Sequence, residues 1–403
     1  MELINKYVWF QEGPGVRKSQ YTENGIKLLN VANLVGGKID LSTSKRYISE
    51  DEAYGKYKHF LVDEGDFIIA SSGIQVNYFE KKMGFITEEH LPLCMNTSTI
   101  RFKVIDKEKM NIRYFMYFMK SEEFKRQLRK LITGSAQLNF GPSHLEKVKM
   151  NVPDITYQKD CVNKLDKIIS LIDLRKKQLQ DLDELIKSLF VEMFGDPILN
   201  PMKWKVKKLG ELSNKVMSGN TPKGGDRVYV SSGIEFYRSQ NVWKNKIEKD
   251  DIAYIDEETH KKMLKSSLKH NDLLITKTGR INTENSSLGR TALYVGEDDK
   301  ANINGHVYLV RLNEGENHEF ILRILISNEY REYIRSVCVG GIDKRQLNKE
   351  HIENFPIIYP PIELQNQFAD MVKQIDKQKF KIEKSLKEMK KLNESLMNKY
   401  FGE

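Results

Sequence analysis

Four short polar stretches hold the side chains best suited to recognise something. Ser71-Ser72-Gly73-Ile74-Gln75-Val76-Asn77-Tyr78 and the run from Ser135 to Asn139 offer hydroxyls and amides: Ser72, Gln75, Asn77, Ser135, Gln137 and Asn139. Lys277-Thr278-Gly279-Arg280-Ile281-Asn282-Thr283 and Asp343-Lys344-Arg345-Gln346 add cations, with Lys277, Thr278, Arg280, Asn282, Lys344, Arg345 and Gln346 as the candidate contacts. A carboxamide can make two hydrogen bonds to an adenine edge, a guanidinium or ammonium suits guanine, and other lysines meet phosphates. The chemistry these stretches could perform is therefore the reading of nucleic-acid bases. Lys223, in Thr221-Pro222-Lys223, and Asn241, beside Arg238, Gln240 and Trp243, join the set. Exposure alone would explain any one polar loop equally well. Four of them at matching positions in two halves of the chain favour the functional reading.

Catalytic signatures are missing. The string GPGVRKS at 13–19 has the glycines and Lys-Ser of a phosphate loop, but not the Gly before Lys or the four-residue gap after the first Gly. No HExxH, zinc-type Cys/His spacing, GxSxG or GxGxxG is found. An amino-methyltransferase needs an Asp- or Asn-Pro-Pro-aromatic turn to hold its target amine, and Asp196-Pro197-Ile198 lacks the second Pro and the aromatic. Acidic pairs such as Asp250-Asp251 and Glu257-Glu258 read as solvated loops and helix starts. His144 and His351 match in the repeat, and each precedes an apolar residue at an element start, which favours a structural role.

A formal charge of +9 over 403 residues points to an anionic partner, while 39% hydrophobic residues suffice for real cores. Cys94, Cys161 and Cys338 are odd in number and far apart, which argues against a disulfide framework and for a reducing cytoplasm. Neither a signal sequence nor a membrane span is read.

The elements that must position the loops come twice. GIKLLNVANLVGGKI (25–39) lies on GIEFYRSQNVWKNKI (233–247), and EGDFIIASSG (64–73) on HNDLLITKTG (270–279). In the latter pair an acidic residue leads into a buried strand that delivers a polar turn. RYFMYFMKSEEFKRQLRKLITG (113–134) lies on EFILRILISNEYREYIRSVCVG (319–340), both amphipathic helices ending at Gly. Glu2, Leu3, Asn5 and Lys6 align with Glu211, Leu212, Asn214 and Lys215, which leaves the first half without a counterpart to 204–207. GDPILNPMKWK (195–205) reads as the one linker.

Each half then runs into a long helix. Cys161, Leu165, Ile168, Ile172, Leu179, Leu182, Ile186, Leu189 and Met193 recur at alternating steps of four and three, interrupted by Arg175. Phe368, Val372, Ile375, Ile382, Leu386, Met389, Leu396 and Tyr400 repeat the register 207 positions on, with Lys379 and Asn393 as polar exceptions. That spacing is a coiled-coil seam, and the matched offset pairs the two helices with each other. Helix one must deliver the chain to the second domain, so they run antiparallel. Gly195 and Gly402 are placed as C-terminal caps. The expected fold is α+β: two tandem mixed α/β target-recognition domains, each followed by a long helix, the helices forming an antiparallel coiled coil with pseudo-two-fold symmetry. The divisions are 1–155 (first domain), 156–196 (central helix), 197–363 (linker and second domain) and 364–403 (C-terminal helix).

On this architecture, and on LFVEMFGDP (189–197), WKVKKLGEL (204–212), SGNTPK (218–223), LLITKTG (273–279) and YPPIELQNQF (359–368), the chain resembles the specificity subunits of type I restriction-modification systems over essentially its full length. The resemblance implies a non-catalytic, cytoplasmic subunit that binds double-stranded DNA at a bipartite site, one half per domain. Its helices would set the spacing and dock two methyltransferase (modification) subunits, which methylate adenine, and ATP-driven restriction subunits would join. It implies no cofactor in this chain, with S-adenosylmethionine, ATP and Mg belonging to the partner subunits. Two other readings stay open: a coiled-coil adaptor that binds only protein, and a DNA nuclease or methyltransferase with an unrecognised active site.

Overall fold

The computed structural model describes residues 1–402 apart from 44, 74, 75, 133–138, 282, 284 and 342, and of 76 and 77 it describes the backbone alone. The chain divides into two compact units, Met1–Lys177 with Glu383–Glu403, and Gln178–Ile382. Both long helices are therefore divided between the units, where the linear reading gave each domain a helix of its own.

In the first unit an antiparallel sheet has the spatial order Val8–Glu12, Thr99–Val104, Phe67–Ala70, Met83–Phe85. The stretch 67–70 is FIIA because all four residues are buried, so both faces of the strand must be apolar. Phe102 stands opposite both Phe10 and Phe67, and Phe67 opposite Phe85. Phe115, on helix Ile112–Lys120, closes this row of rings 5.2 Å from Phe102. A second sheet holds Ile26–Leu29 between antiparallel Tyr47–Ile48 and parallel Leu93–Met95.

The second unit repeats the plan. Its four-stranded sheet runs Ser213–Ser218, Val307–Leu312, Leu273–Thr276, Thr291–Leu293, and Ile234–Tyr237 lies between antiparallel Ala253–Ile255 and parallel Ala301–Ile303. The helix pairs match as well: Ser121 caps Glu122–Leu131 and Ser327 caps Asn328–Val337, each accepting a backbone N–H on its hydroxyl.

The start of the repeat differs from the sequence alignment. Glu2–Leu3 pairs with Lys149–Met150, and Val206–Lys208 with Pro356–Ile358. The Ile4 N–H reaches the Val148 carbonyl at 3.0 Å, and the Leu209 N–H the Phe355 carbonyl at 2.9 Å, so Ile4 corresponds to Leu209. Both are fully buried. The shared Glu, Leu, Asn and Lys therefore misalign the termini, and Glu2–Leu3 is the counterpart of the strand at 206–208 that seemed lacking. Hydrogen bonding chose the register; similar composition four residues away did not.

Ile155–Phe194 and Ile362–Phe401 are helices of 40 residues each. Their pairing is antiparallel within each unit. In the first, Tyr157 near the start of one helix meets Tyr400 near the end of the other, rings 6.1 Å apart. In the second, Phe190 and Phe194 both pack 5.5 Å from Phe368. Leu165, Ile168, Ile172, Ile186, Val372 and Ile375 are buried; Leu179, Leu182, Leu189, Ile382, Leu386, Met389 and Leu396 are half-buried. The polar exception Lys379 reaches Asp183 on the facing helix at 2.6 Å. Gly195 adopts left-handed φ of 76° as a C-cap should, whereas Gly402 is not left-handed. The stretch read as a linker is tied down: the Asn200 side chain bonds both backbone groups of Trp204, and the Trp204 indole N–H donates to the Phe194 carbonyl at 3.0 Å.

Candidate nucleic-acid interface

The two polar loops of each half, about 65 residues apart in sequence, come together in space. In the first unit the Phe140 N–H donates to the Ser71 carbonyl at 2.9 Å, and the Gly73 N–H donates to the Asn139 side-chain oxygen at 3.0 Å. Gly73 is at φ 69°, which suits glycine. The second unit makes the same junction, the Leu347 N–H donating to the Lys277 carbonyl at 2.9 Å, then extends it. Thr278–Gly279 pairs with Lys344–Gln346, itself paired with Val339–Gly341. A Cβ on Gly279 would come 2.4 Å from the Leu288 backbone nitrogen, so that close passage needs glycine.

The candidate side chains divide by what holds them. Arg280, Lys344, Gln346, Lys223 and Asn139 are exposed, and Ser72 and Thr278 half-buried. Lys277 is half-buried with its ammonium 5.8 Å from the Tyr308 ring centre. Arg345 folds back along its own hairpin, one guanidinium nitrogen 3.3 Å from the Cys338 carbonyl. That leaves Arg280 as the exposed guanidinium of the pair. Gln75, Ser135, Gln137 and Asn282, with the side chain of Asn77, lie outside the described residues.

Asn241 is a correction. It is 1% exposed; its side-chain oxygen accepts the Arg238 N–H at 2.9 Å, and its NH₂ donates to the Glu248 carbonyl at 3.0 Å and the Asp251 carbonyl at 3.1 Å. Its partner in the repeat, Asn33, does the same with the Asn30 N–H and the Asp40 carbonyl. The amide that suited an adenine edge is spent closing a turn. Arg238 is likewise engaged, paired with Asp251 at 3.1 Å. His144 and His351 each accept a backbone N–H on Nδ1, from Gly141 and Asn348, and so cap a turn. Gly13 is needed because a Cβ there would lie 2.1 Å from the Asn96 carbonyl oxygen, and Gly219 meets Ile303 identically. The glycine of the phosphate-loop look-alike thus serves backbone packing.

Sequence reasoning missed Arg290 and Arg331. Arg290 lies over the Trp243 indole at 3.8 Å, and Arg331 donates to the Thr283 carbonyl at 3.1 Å. Each partner is some 47 or 48 residues away in the chain, so no local pattern marks them. Among the described residues no three His, Cys, Asp or Glu side chains gather as a metal ion would require. No described helix is long and apolar enough to cross a membrane.

Two copies of the type I restriction modification DNA specificity domain match the chain, over residues 11–184 and 201–391, and the chain belongs to that family. The MjaIX specificity subunit of Methanocaldococcus jannaschii is 23% identical over 94% of this chain and 92% of its own length; the EcoKI specificity subunit of Escherichia coli is 21% identical over 93% and 82%. Against two other relatives the match is partial: it spans 43% of the M. jannaschii MjaVIII specificity subunit, at 26% identity over 46% of this chain, and 64% of the Salmonella potsdam StySPI specificity subunit. The solved type I restriction-modification S subunit from M. genitalium shares the fold, with a TM-score of 0.53 and 17% identity over 100% of this chain and 96% of that one. A structure described for complex assembly and conformational transition of the type I R-M system gives 0.54, at 15% identity over 98% and 97%.

Proposed function

We propose that the chain is the DNA-reading subunit of a type I restriction-modification complex, each unit recognising one half of a bipartite site through its paired polar loops. The observation that carries this reading is the shared junction, Ser71 with Phe140 and Lys277 with Leu347: one frame in both units, bearing amides and hydroxyls in one and cations in the other. A common scaffold with different loop chemistry suits two readers of different sequences. Arg280, Lys344 and Gln346 are the base-reading candidates of the second unit, and Ser72 and Asn139 with Gln75, Asn77, Ser135 and Gln137 those of the first.

The subunit would work in the cytoplasm without catalysis of its own, S-adenosylmethionine, ATP and Mg residing in two modification subunits and the restriction subunits. Exposed Leu171, Leu174 and Leu392 in the first unit, and Leu185, Val191 and Phe380 in the second, support docking of those partners on the helices. We also propose the helices as the ruler between half-sites, since one heptad added to each would lengthen them by about 10 Å, or roughly three base pairs. The test is methylome sequencing of cells carrying the system before and after exchange of residues 1–155 for those of a relative. One half of the methylated motif should change and the other persist; a motif that changes throughout, or not at all, would refute the assignment.

A further inference from the structure

Beside the polar loops of the second unit lies a cavity of about 270 Å³ whose wall includes Lys244, Arg290 and Arg331. Arg290 lies over the Trp243 ring, 3.8 Å from its centre, and its Nε–H and Nη2–H donate to the carbonyls of Ser286 and Asn285 at 3.0 and 2.5 Å. Arg331 is held by Thr283, and Lys244 contacts Asn328 at 3.5 Å. These cations crowd one another. Partial burial, then Lys187 and Arg331, holds the Lys244 ammonium below the usual lysine range, with Glu329 and Asp183 opposing. Partial burial and Arg331 do the same to Arg290, opposed by Glu248. Three cations around one concavity make a field that an anion relieves.

The scaffold does not impose this. The Arg290 carbonyl accepts the Thr276 N–H as the Lys82 carbonyl accepts the Ala70 N–H, so Lys82 stands in the place of Arg290. The Arg331 N–H bonds the Ser327 carbonyl as the Lys125 N–H bonds that of Ser121, so Lys125 stands for Arg331. Counting three from the matched asparagines, Gly36 replaces Lys244. In the first unit Lys125 is neutralised by Glu80 at 2.6 Å and Glu122 at 3.0 Å. With Gly36 in place of Lys244, the first unit is one cation short at this position.

Its location selects the ligand. The cavity wall at 285–291 continues directly from the loop carrying Arg280, and Arg331 grips that loop at Thr283. A duplex whose base edges meet Arg280 would run its backbone alongside. We propose that Lys244, Arg290 and Arg331 form a phosphodiester-binding pocket that anchors DNA next to the base-reading loop of the second unit, a contact without an equivalent in the first. This rests on the DNA-reading function proposed above.

The test uses the full chain, alone and in its assembled complex, with a duplex carrying the methylated motif. Lys244→Gln is the probe because the Lys244 ammonium, 3.5 Å from the Asn328 side chain, makes the longest contact among the three cations, and Lys244→Arg should restore binding. Loss of one phosphate contact should make the slope of log affinity against log salt shallower by about 0.9, on matched and unmatched duplex alike, with the motif unchanged. Neutral methylphosphonate scanned along the duplex should weaken the wild type at one phosphate flanking the second half-site, and the Lys244→Gln protein no further there. A wild type that binds no duplex would sink the DNA-reading function and this inference together. If it binds, an unchanged slope and phosphate profile in Lys244→Gln overturns the pocket alone. So does an altered motif, which would make Lys244 a base contact, or weakened complex assembly with unchanged DNA affinity, which would make the ligand a protein carboxylate.

Discussion

Asn241→Ala separates a turn from a reader. The truncation at this 1% exposed residue removes three hydrogen bonds and leaves the Arg238 N–H and the Glu248 carbonyl without their partner, while the Asp251 carbonyl keeps the Arg238 guanidinium at 2.6 Å. At about 0.5–1.5 kcal/mol net per bond, more where a buried group stays unpaired, the second unit should lose roughly 2–4 kcal/mol. Trp204 and Trp243 both lie in that unit, so tryptophan fluorescence in urea follows its unfolding. With a slope of roughly 2–3 kcal/mol per M, the midpoint should fall by about 1 M. Asn33→Ala should shift the first unit in the same way and leave the second in place. At temperatures where the Asn241→Ala protein stays folded, selection from a randomised DNA library should return the wild-type motif. An unmoved urea midpoint together with a relaxed base in the second half-site would show that the turn assignment is wrong.

Arg280→Ala should relax one position of the second half-site by roughly 1–3 kcal/mol, read as lost discrimination in the same selection, while the first half-site is unchanged. His318, at the start of a helix in the second unit, has its pKa held below the ordinary value by burial. Its folded form therefore favours the neutral ring, and the unfolded chain takes up the proton first. Stability of that unit should fall as pH drops through the unfolded value near 6.5, and His318→Gln should flatten that slope in urea melts at pH 7.5 and 5.5. All three cysteines are buried, and burial pushes the Cys94 thiol up to about 12. A thiol reagent should thus label the native chain slowly and the urea-unfolded chain at all three positions.

The repeat was the legible part of the sequence. Strands such as FIIA and LLIT announce themselves because a doubly covered strand admits apolar residues and few others, Thr276 being kept by hydrogen bonds of its hydroxyl, and the heptad steps mark the helices because the seam tolerates few polar ones. Asn33 and Asn241 matched for a reason the alignment could not distinguish: a turn-closing amide and a base-reading amide are the same group, and only burial tells them apart. The N-terminal register failed because a two-residue strand carries too little pattern to outweigh four coincident identities. The Arg290 and Trp243 pair was invisible because Trp243 ends a two-residue strand and Arg290 lies in the loop before the strand at 291–293, 47 residues on. That the polar loops meet in each half was not legible, since matching between the halves says nothing about contact within one, and neither was the three-stranded extension at 278–279, 339–341 and 344–346.

The first unit is completed by residues 383–403: Phe401 packs 4.9 Å from Tyr114 and 6.5 Å from Phe118, and both Tyr400 and Phe401 are buried there. During synthesis the ribosome must polymerise the roughly 200 residues of the other unit after finishing residue 177 and before these rings are made. At about 5–20 residues per second, the nascent first unit spends on the order of 10–40 s with Tyr114 and Phe118 uncovered. Order of translation and order of completion are thus inverted, and the segment made first is the last to close. A stop codon between positions 383 and 401 would accordingly injure the first unit, and the interval of exposure is when a chaperone would be needed.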